Sequence, residues 1–221
     1  MERKQKNLLP GGFLFITVFI VWTGLILIVD VQPVGQNGTN IGFAAVNCWF
    51  HKLTGVHMTI YTITDWLGLV PIAVCILFGC IGFVQLISRR SLAKTDRDII
   101  ILGIYYVVVI CCYLIFEMIP INYRPVPING IMEASYPSST TLLVLSVMPT
   151  LVEQANRRSG NAAVKTGICI FAVVFSAFMV IGRLFSGVHW FTDIMGSIFL
   201  SAGLFGIYKG SLQALCGKDA V

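Results

Sequence analysis

Residues 182–193 read GRLFSGVHWFTD and place an arginine, a histidine and an aspartate within one short stretch of an otherwise apolar region. Charged side chains are costly at membrane depth, so Arg183, His189 and Asp193 indicate a functional site. His189 and Asp193 are four residues apart, which on a helix would place both side chains on one face, where the carboxylate can orient the imidazole. The spacing also fits an interfacial histidine beside an aromatic belt, with Asp193 as a charge at a helix N-terminus.

The composition around this stretch is that of an integral membrane protein. Of 221 residues, 57% are hydrophobic and 11% are charged, and the apolar residues form long blocks rather than an amphipathic rhythm. At about 20 apolar residues for each membrane-spanning helix, the length predicts six spans and leaves no room for a soluble domain. We therefore expect an all-α polytopic membrane protein with one domain over residues 1–221.

Six apolar runs give the predicted spans, at about residues 13–31, 66–87, 99–119, 138–154, 166–185 and 191–208. Between the first two, apolar residues recur at steps of three and four from Ile41 to Gly55, which is typical of a short amphipathic helix in the membrane interface. The basic N-terminal residues and the run after them resemble a signal peptide. That run is too long and lacks a cleavage site, so we expect it to be retained as the first span.

The Lys and Arg residues are distributed unevenly about these spans. Twelve of the fifteen fall in the N-terminal segment, in the loops after the second and fourth spans, and at the C-terminus. By the positive-inside rule this side, with both termini, is cytoplasmic, and we expect the plasma membrane of a bacterium. Lys52, Arg124 and Arg183 are left on the outer side, and both arginines lie in or beside unusual polar motifs.

This topology brings three polar clusters to the outer face. The clusters are Glu117 with Arg124, the turn Ser138–Ser139–Thr140, and residues 182–193. Two guanidinium groups and the N-terminus of a helix form a site for a tetrahedral oxyanion. A histidine oriented by a carboxylate beside bound phosphate is a candidate nucleophile.

The clusters resemble the signature of the type 2 phosphatidic acid phosphatase family of membrane lipid phosphatases. That signature is Lys-(x)6-Arg-Pro, then Pro-Ser-Gly-His, then Ser-Arg-(x)5-His-(x)3-Asp. The corresponding stretches here are Glu117-(x)6-Arg124-Pro125, Pro137-Ser138-Ser139-Thr140 and Gly182-Arg183-(x)5-His189-(x)3-Asp193. The resemblance covers about residues 66–208, and its third motif is the most specific.

The resemblance implies a six-helix fold and a two-step hydrolysis of a lipid phosphate or pyrophosphate monoester at the outer face. His189 would attack phosphorus to give a phosphohistidine, and Asp193 would orient the ring. The groups that would hold the phosphate oxygens are Arg124, Arg183, Ser138 and the backbone N–H of Ser139. This mechanism requires no metal and no other cofactor. The expected partners are the lipid phosphate substrate and membrane lipids; no pattern suited to nucleic acid is present, and the oligomeric state is left open.

Two positions depart from the family signature. Glu117 stands where the family has a phosphate-binding lysine, and Thr140 stands where it has the histidine that protonates the leaving oxygen. One hypothesis joins the two changes: Glu117, desolvated at the membrane end of its span, stays protonated and supplies the missing proton. The alternative is a structural ion pair between Glu117 and one of the arginines.

The sequence also allows two other functions. A catalytically impaired relative that binds a lipid phosphate or a partner protein is favoured by the loss of the lysine and the histidine. It is opposed by the retained Arg183, His189 and Asp193. A transporter would need broken helices or an ionisable residue in mid-span, whereas Glu117 and Glu153 lie near span ends.

The remaining polar residues are expected to have ordinary roles. Asp65 is interpreted as a charge at a helix N-terminus, Glu133 as a solvated loop carboxylate, and His51 and His57 as interfacial side chains. The seven cysteines give neither a disulfide framework nor a metal-ligand spacing.

Overall fold

The computed structural model describes residues 8–216, and in this range helices are joined by loops, the longest of which lies between Met118 and Ser139. In chain order they are α1 (Leu8–Ile28), α2 (Ala44–Thr54), α3 (Met58–Leu67), α4 (Leu69–Arg89), α5 (Arg97–Met118), α6 (Ser139–Arg158), α7 (Ala162–Phe185) and α8 (Phe191–Cys216). Short 3-10 turns occur at Gln36–Gly38 and Leu92–Lys94. Extended pairing within the described range is limited to isolated bridges, such as the one between Tyr123 and Ala134.

The expected all-α membrane architecture is confirmed. Within residues 8–216, five helical segments are long and apolar enough to cross a membrane: α1, α3 together with α4, α5, α7 and α8. The remaining long helix, α6, has 20 residues and is more polar than these five. The number of six spans therefore stays a prediction. The orientation also stays a prediction, and the basic N-terminal residues and Lys218, on which it partly rests, lie outside the described residues.

The polar character of α6 follows from its central position. It packs against α4, α5, α7 and α8, so its polar side chains meet other helices rather than lipid. Thr150 shares a 2.7 Å hydrogen bond with the Tyr106 hydroxyl, and the Gln154 side-chain amide donates to the Tyr208 hydroxyl at 3.3 Å. Buried polar groups need such partners inside an apolar bundle, and these pairs supply them.

Buried apolar side chains form two clusters that meet at α6. The larger one joins α1, α4, α5, α6 and α8, and the smaller one joins α6 to α7. Members of the first include Phe19, Leu102, Tyr136, Leu142 and Tyr208, and those of the second are Val144, Met148, Ala172, Phe175 and Met179. Many large apolar side chains on α1, α4, α5 and α7 are exposed instead, as expected of surfaces that face lipid.

The second predicted span begins earlier than its apolar composition suggested. The helix starts at Met58 as α3 and continues after Gly68 as α4, so the predicted start near Trp66 is wrong. Thr62 and Thr64 donate their hydroxyls to carbonyls one turn back, which satisfies these polar side chains inside α3. Asp65 consequently lies in the last turn of a helix and not at an N-terminus, which corrects the expectation for this residue.

The short amphipathic helix predicted between the first two spans is α2. Its buried side chain Asn47 donates to the Gly42 carbonyl at 2.8 Å and to the Thr192 hydroxyl at 3.0 Å. Trp49 and Leu53 are exposed on the opposite side. α2 is therefore fixed to the first turn of α8, while its location in the membrane interface stays a prediction.

Candidate active site

The loop between α5 and α6 and the loop between α7 and α8 meet at one end of the bundle. The Trp190 indole donates to the Tyr123 carbonyl at 2.8 Å, and the Ser197 hydroxyl donates to the Ser138 carbonyl at 2.8 Å. The Ser138 amide also donates to the Asp193 carbonyl at 3.3 Å. All three polar clusters identified in the sequence lie at this end, although their members do not all contact one another.

Arg183 and Arg124 are both buried here and approach the same aromatic ring. Arg183, 1% exposed, is in the last turns of α7, and Arg124 comes from the loop after α5. The guanidinium carbons lie 4.8 Å and 5.8 Å from the centroid of Tyr61 in α3. A ring face attracts cations, so Tyr61 holds both arginines close to each other despite their like charge. Gly182 permits this arrangement, because a Cβ there would lie 2.7 Å from Thr64 Cγ2 of α3.

Each arginine has a carboxylate partner that was not expected. Arg124 Nη2 lies 3.1 Å from Glu133, and Arg183 Nη1 lies 3.5 Å from Asp65. Glu133 is thus an ion-pair partner rather than a solvated loop carboxylate. Even so, Nε and Nη1 of both guanidinium groups are buried without a hydrogen-bond acceptor in the described part of the chain. Unpaired buried donors are costly, so four such nitrogens indicate a binding site for an anion.

His189 precedes α8 instead of sharing a helical face with Asp193, and Ser135 mediates between the two side chains. His189 Nδ1 lies 3.2 Å from the Ser135 carbonyl oxygen and 3.7 Å from an Asp193 oxygen. The Ser135 hydroxyl donates to the same Asp193 oxygen, to which the Trp190 amide also donates at 2.8 Å. Because α8 begins at Phe191, as the predicted sixth span does, His189 lies in the loop before the helix and the two side chains do not meet through helical spacing.

The partners of the His189 ring show which of its nitrogens carries the lone pair. Arg183 Nη2 lies 3.4 Å from His189 Nε2, and because a guanidinium only donates, Nε2 is the acceptor. We therefore assign the proton to Nδ1, where the Ser135 carbonyl accepts it. Gly187 shapes the preceding turn with φ of +69°, and a Cβ there would clash with the Gly55 carbonyl. The lone pair of Nε2 thus faces the arginine that is suited to hold a phosphate.

The electrostatic environment keeps this imidazole neutral. The pKa of His189, which lies in the loop between α7 and α8, is lowered well below its ordinary value of 6.5 because burial removes the ring from water. The charges of Arg124 and Arg183 lower the pKa further, while the hydrogen bond to the Ser135 backbone opposes them. At neutral pH His189 is therefore the free base, which is the form that can act as a nucleophile.

The start of α6 supplies the second predicted motif. Ser138 occupies the N-cap position, but its side chain makes no capping bond and donates instead to the Thr141 hydroxyl at 3.1 Å. Ser138 is fully buried, whereas Ser139 and Thr140 are partly exposed. The first backbone N–H groups of a helix have no partner within it, so this end of α6 adds donors beside the arginines.

Glu117 lies in the last turn of α5 and is exposed, so the protein itself does not bury its carboxylate as the sequence hypothesis required. It lines a small cavity together with Ser135, Ser139 and His189. Among the described residues it forms no ion pair, because the carboxylate partners of Arg124 and Arg183 are Glu133 and Asp65. The alternative of a structural ion pair between Glu117 and an arginine is therefore wrong.

A larger cavity of about 470 Å³ adjoins the small one between α4, α5 and α6. At one end it is lined by Asp65, Ser139 and Thr140, and along its length by apolar side chains such as Leu69, Ile72, Val109 and Leu143. Its polar end and apolar walls suit a lipid whose head group lies beside α6. Among the described residues no group of three His, Cys, Asp or Glu side chains is arranged to hold a metal ion.

Sequence reasoning missed Tyr61 and Ser135 and misjudged Asp65 and Glu133. Tyr61 and Asp65 are four residues apart, which places them on one face of α3 once that helix is known to start at Met58. Ser135 carried no signal, because it lies in a loop outside every motif. His51 and His57 lie outside the site: His51 packs at 5.7 Å against the Trp190 ring, and His57 bonds the Thr54 carbonyl.

Comparisons with known proteins give one family match and one similar fold. The family model of the PAP2 superfamily matches residues 74–214. A similar solved structure is titled as the first transmembrane PAP2 type phosphatidylglycerolphosphate phosphatase from Bacillus subtilis. It has a TM-score of 0.68 and 16% identity, with 93% of this chain and 97% of that chain covered, a likeness that shows the fold alone. Comparison with curated proteins gave no match.

Proposed function

The chain belongs to the PAP2 superfamily, and from this premise we propose that it hydrolyses a lipid phosphate or pyrophosphate at the outer membrane face through a phosphohistidine on His189. Membership of the superfamily supports a lipid phosphatase in general terms. The observation that carries the finer proposal is the set of unpartnered N–H groups on Arg124 and Arg183 beside the Nε2 lone pair of His189. These groups match the two needs of the reaction, an anion cradle and a nucleophile.

The first step transfers the phosphoryl group to the histidine. His189 Nε2 attacks phosphorus, the bond from phosphorus to the lipid oxygen breaks, and its electron pair stays on that oxygen. Arg124 and Arg183 hold the other phosphate oxygens and neutralise their charge, since phosphoryl transfer depends mainly on positioning and electrostatics. In the second step water attacks phosphorus, the P–N bond breaks, and inorganic phosphate leaves the free-base histidine.

Asp193 and Ser135 prepare the histidine for both steps. Phosphorylation at Nε2 gives the ring a positive charge, and Asp193 Oδ2 lies 3.7 Å from Nδ1 to stabilise it. Ser135 fixes the ring through its carbonyl and Asp193 through its hydroxyl. The Ser139 amide and the next N–H groups at the start of α6 complete the cradle for the phosphate, whereas the hydroxyl and amide of Ser138 donate to Thr141 and to the Asp193 carbonyl and hold the turn in place.

Glu117 is the candidate acid for the leaving oxygen. Its carboxylate lines the small cavity that reaches His189 and Ser139, which places it within the site. Thr140, which lines the adjoining larger cavity, can donate a hydrogen bond but is a poor general acid. Glu117 therefore takes the part that a histidine at position 140 would have.

A lipid substrate is supported by the larger cavity. Its walls are apolar and its polar end, at Asp65, Ser139 and Thr140, adjoins Arg183. A lipid tail among α4, α5 and α6 would place the phosphate at the arginines without leaving the bilayer. The outer location rests on the distribution of Lys and Arg residues about the spans.

The test is phosphate release by purified protein from a panel of phosphatidic acid, phosphatidylglycerol phosphate and a polyprenyl pyrophosphate in mixed micelles. We expect release from at least one lipid, background release by His189→Ala, and near-normal release by the control His57→Ala. Equal background release by the native protein and His189→Ala contradicts the proposal. It would support a relative that only binds lipid phosphates, which the same lipids in a binding assay would reveal.

A further inference from the structure

We propose that Asp65 is the general base that activates water for hydrolysis of the phosphohistidine, a role that rests on the function proposed above. Asp65 lies in α3, before the residues that the superfamily match covers. Its side chain lies at the site through its 3.5 Å contact with Arg183. The family signature does not include a residue at this position, so the structure alone directs attention to it.

The Arg183 guanidinium separates Asp65 from the nucleophile. Its Nη2 faces His189 Nε2 at 3.4 Å, and its Nη1 faces Asp65 Oδ1 at 3.5 Å. In phosphoryl transfer the entering and leaving groups lie roughly in line, on opposite sides of phosphorus. A phosphate held by the Arg183 guanidinium would have His189 near Nη2 and Asp65 near Nη1. His189 and Asp65 would therefore flank the phosphate, and the proposal assigns Asp65 to the side from which the lipid oxygen leaves and to which water later comes.

Asp65 is accessible in a way that the rest of the site is not. Its side chain is 56% exposed, whereas those of Arg183 and His189 are each 1% exposed. The carboxylate also lines the polar end of the larger cavity, next to Ser139 and Thr140. When the lipid product withdraws from that cavity, the space beside Asp65 is open for the water that the second step consumes.

The position of Asp65 is set by its helix, and its oxygens are otherwise free. Tyr61, one turn earlier on the same face, contacts the Arg183 guanidinium at 4.8 Å and fixes α3 against it. No hydrogen bond to the Asp65 side chain is made by residues 8–216 beyond the ion-pair contact with Arg183. Its oxygens can therefore accept a hydrogen bond from water, as a general base requires.

The step balances without any further reactant. The water oxygen forms a bond to phosphorus while Asp65 takes one of its protons. The P–N bond breaks, its electron pair returns to His189 Nε2, and phosphate is released. Asp65 then loses the proton to solvent through its exposed side. Glu117, the proposed acid of the first step, regains its proton from solvent. Two carboxylates therefore act in place of one acid–base group, Glu117 as the acid of the first step and Asp65 as the base of the second.

Glu133 provides a matched control for this assignment. It pairs with Arg124 at 3.1 Å as Asp65 pairs with Arg183, but no contact connects it with His189 or with the larger cavity. Replacing either carboxylate by its amide removes the negative partner of an arginine. Only at position 65 should the change also remove the acceptor for a water proton.

The experiment uses the full-length protein, 32P-labelled lipid phosphate and quenching in base, which preserves phosphohistidine. We expect Asp65→Asn to accumulate labelled protein, to retain the initial burst of dephosphorylated lipid, and to release phosphate about 10²-fold more slowly. Hydroxylamine, a nucleophile that needs no base, should discharge the label. Glu133→Gln should accumulate no label, and Asp65→Glu should restore part of the release.

Two results would overturn the inference, and they are distinguishable. If Asp65→Asn slows the burst and the release equally and accumulates no label, Asp65 only positions Arg183, and the proposed function stands. If native protein releases phosphate but neither native protein nor Asp65→Asn forms any base-stable label, the phosphohistidine is absent and both proposals fail. Asp65→Glu serves as the folded reference should Asp65→Asn be unstable, because a base at position 65 predicts partial release with little label.

Discussion

The two sides of the Arg183 guanidinium differ in how firmly their side chains are held. On the Nη2 side, His189 and Asp193 are fully or almost fully buried and are joined through Ser135 by a continuous set of hydrogen bonds. On the Nη1 side, Asp65 is more than half exposed, and Thr140 is open to a cavity. One guanidinium therefore separates a rigid environment from an open one.

The difference matches what the proposed reaction would require of each side. A nucleophile gains rate from being held close to its reaction geometry, so the histidine is packed and its orientation is fixed. The opposite side must admit a lipid, release it and then admit water, which a closely packed arrangement would prevent. The four changes below test this division, from the largest expected effect to the smallest.

Replacing Arg183, which lies between the two sides, should have the largest effect. Arg183→Ala should lower kcat/KM for lipid phosphate hydrolysis by about 10³-fold or more, because a positioned arginine stabilises the charge of the transition state. Arg183→Lys should recover only part of this loss, since an ammonium cannot reproduce the planar fork. Arg158→Ala, which removes an arginine paired with Asp98 outside the site, is the control and should have little effect. A similar loss for both alanine variants would show that Arg183 has no special role.

On the open side, Glu117→Gln should lower kcat for a phosphomonoester lipid by about 10²-fold, the contribution typical of a general acid. Adding Thr140→His should restore much of that rate by placing an imidazole at the larger cavity. Phosphate release under saturating lipid measures both effects. Undiminished release by Glu117→Gln would remove Glu117 from the mechanism.

On the packed side, Ser135→Ala should lower kcat by about 10-fold, since losing one buried hydrogen bond to a charged group costs about 1–3 kcal/mol. The loss is limited because the Ser135 carbonyl, which holds His189 Nδ1, remains. Ser201→Ala removes another buried hydroxyl, one that bonds within α8, and should leave kcat unchanged. Equal kcat for Ser135→Ala and the native protein would mean that Asp193 does not need the serine.

Acidification from pH 7.5 to 6.5 should lower kcat/KM by less than about twofold. Protonation of His189 would abolish its nucleophilicity, but its pKa is lowered well below 6.5, so the loss comes at lower pH. The same shift favours the folded state above pH 6.5, and this contribution declines as the pH falls from 6.5 towards the folded pKa. The pH profile of kcat/KM measures this. A midpoint of its acid limb at or above pH 6.5 would contradict a pKa of His189 that is lowered by its packed environment.

The sequence was informative where one motif lies in one loop or helix. The end of α7 at Phe185 and the start of α8 at Phe191 were predicted to the residue, because the polar motif interrupts two apolar runs there. It was uninformative where a role depends on a distant partner. Asp65 looked like a helix-end charge because its partner, Arg183, is far along the chain. The bridging role of Ser135 depends on how its loop folds onto α8, which no local spacing encodes.

The Arg124–Glu133 pair has a consequence for the departure of the product. The two residues are also linked through their backbones, with the Arg124 amide donating to the Glu133 carbonyl at 3.1 Å, so their loop brings the carboxylate back to the same guanidinium. When inorganic phosphate leaves the site, the buried Arg124 guanidinium would otherwise have no negative partner. In the proposed reaction Glu133 would supply an internal anion that balances this charge, which would lower the free-energy cost of phosphate release and shorten the time that the product stays bound.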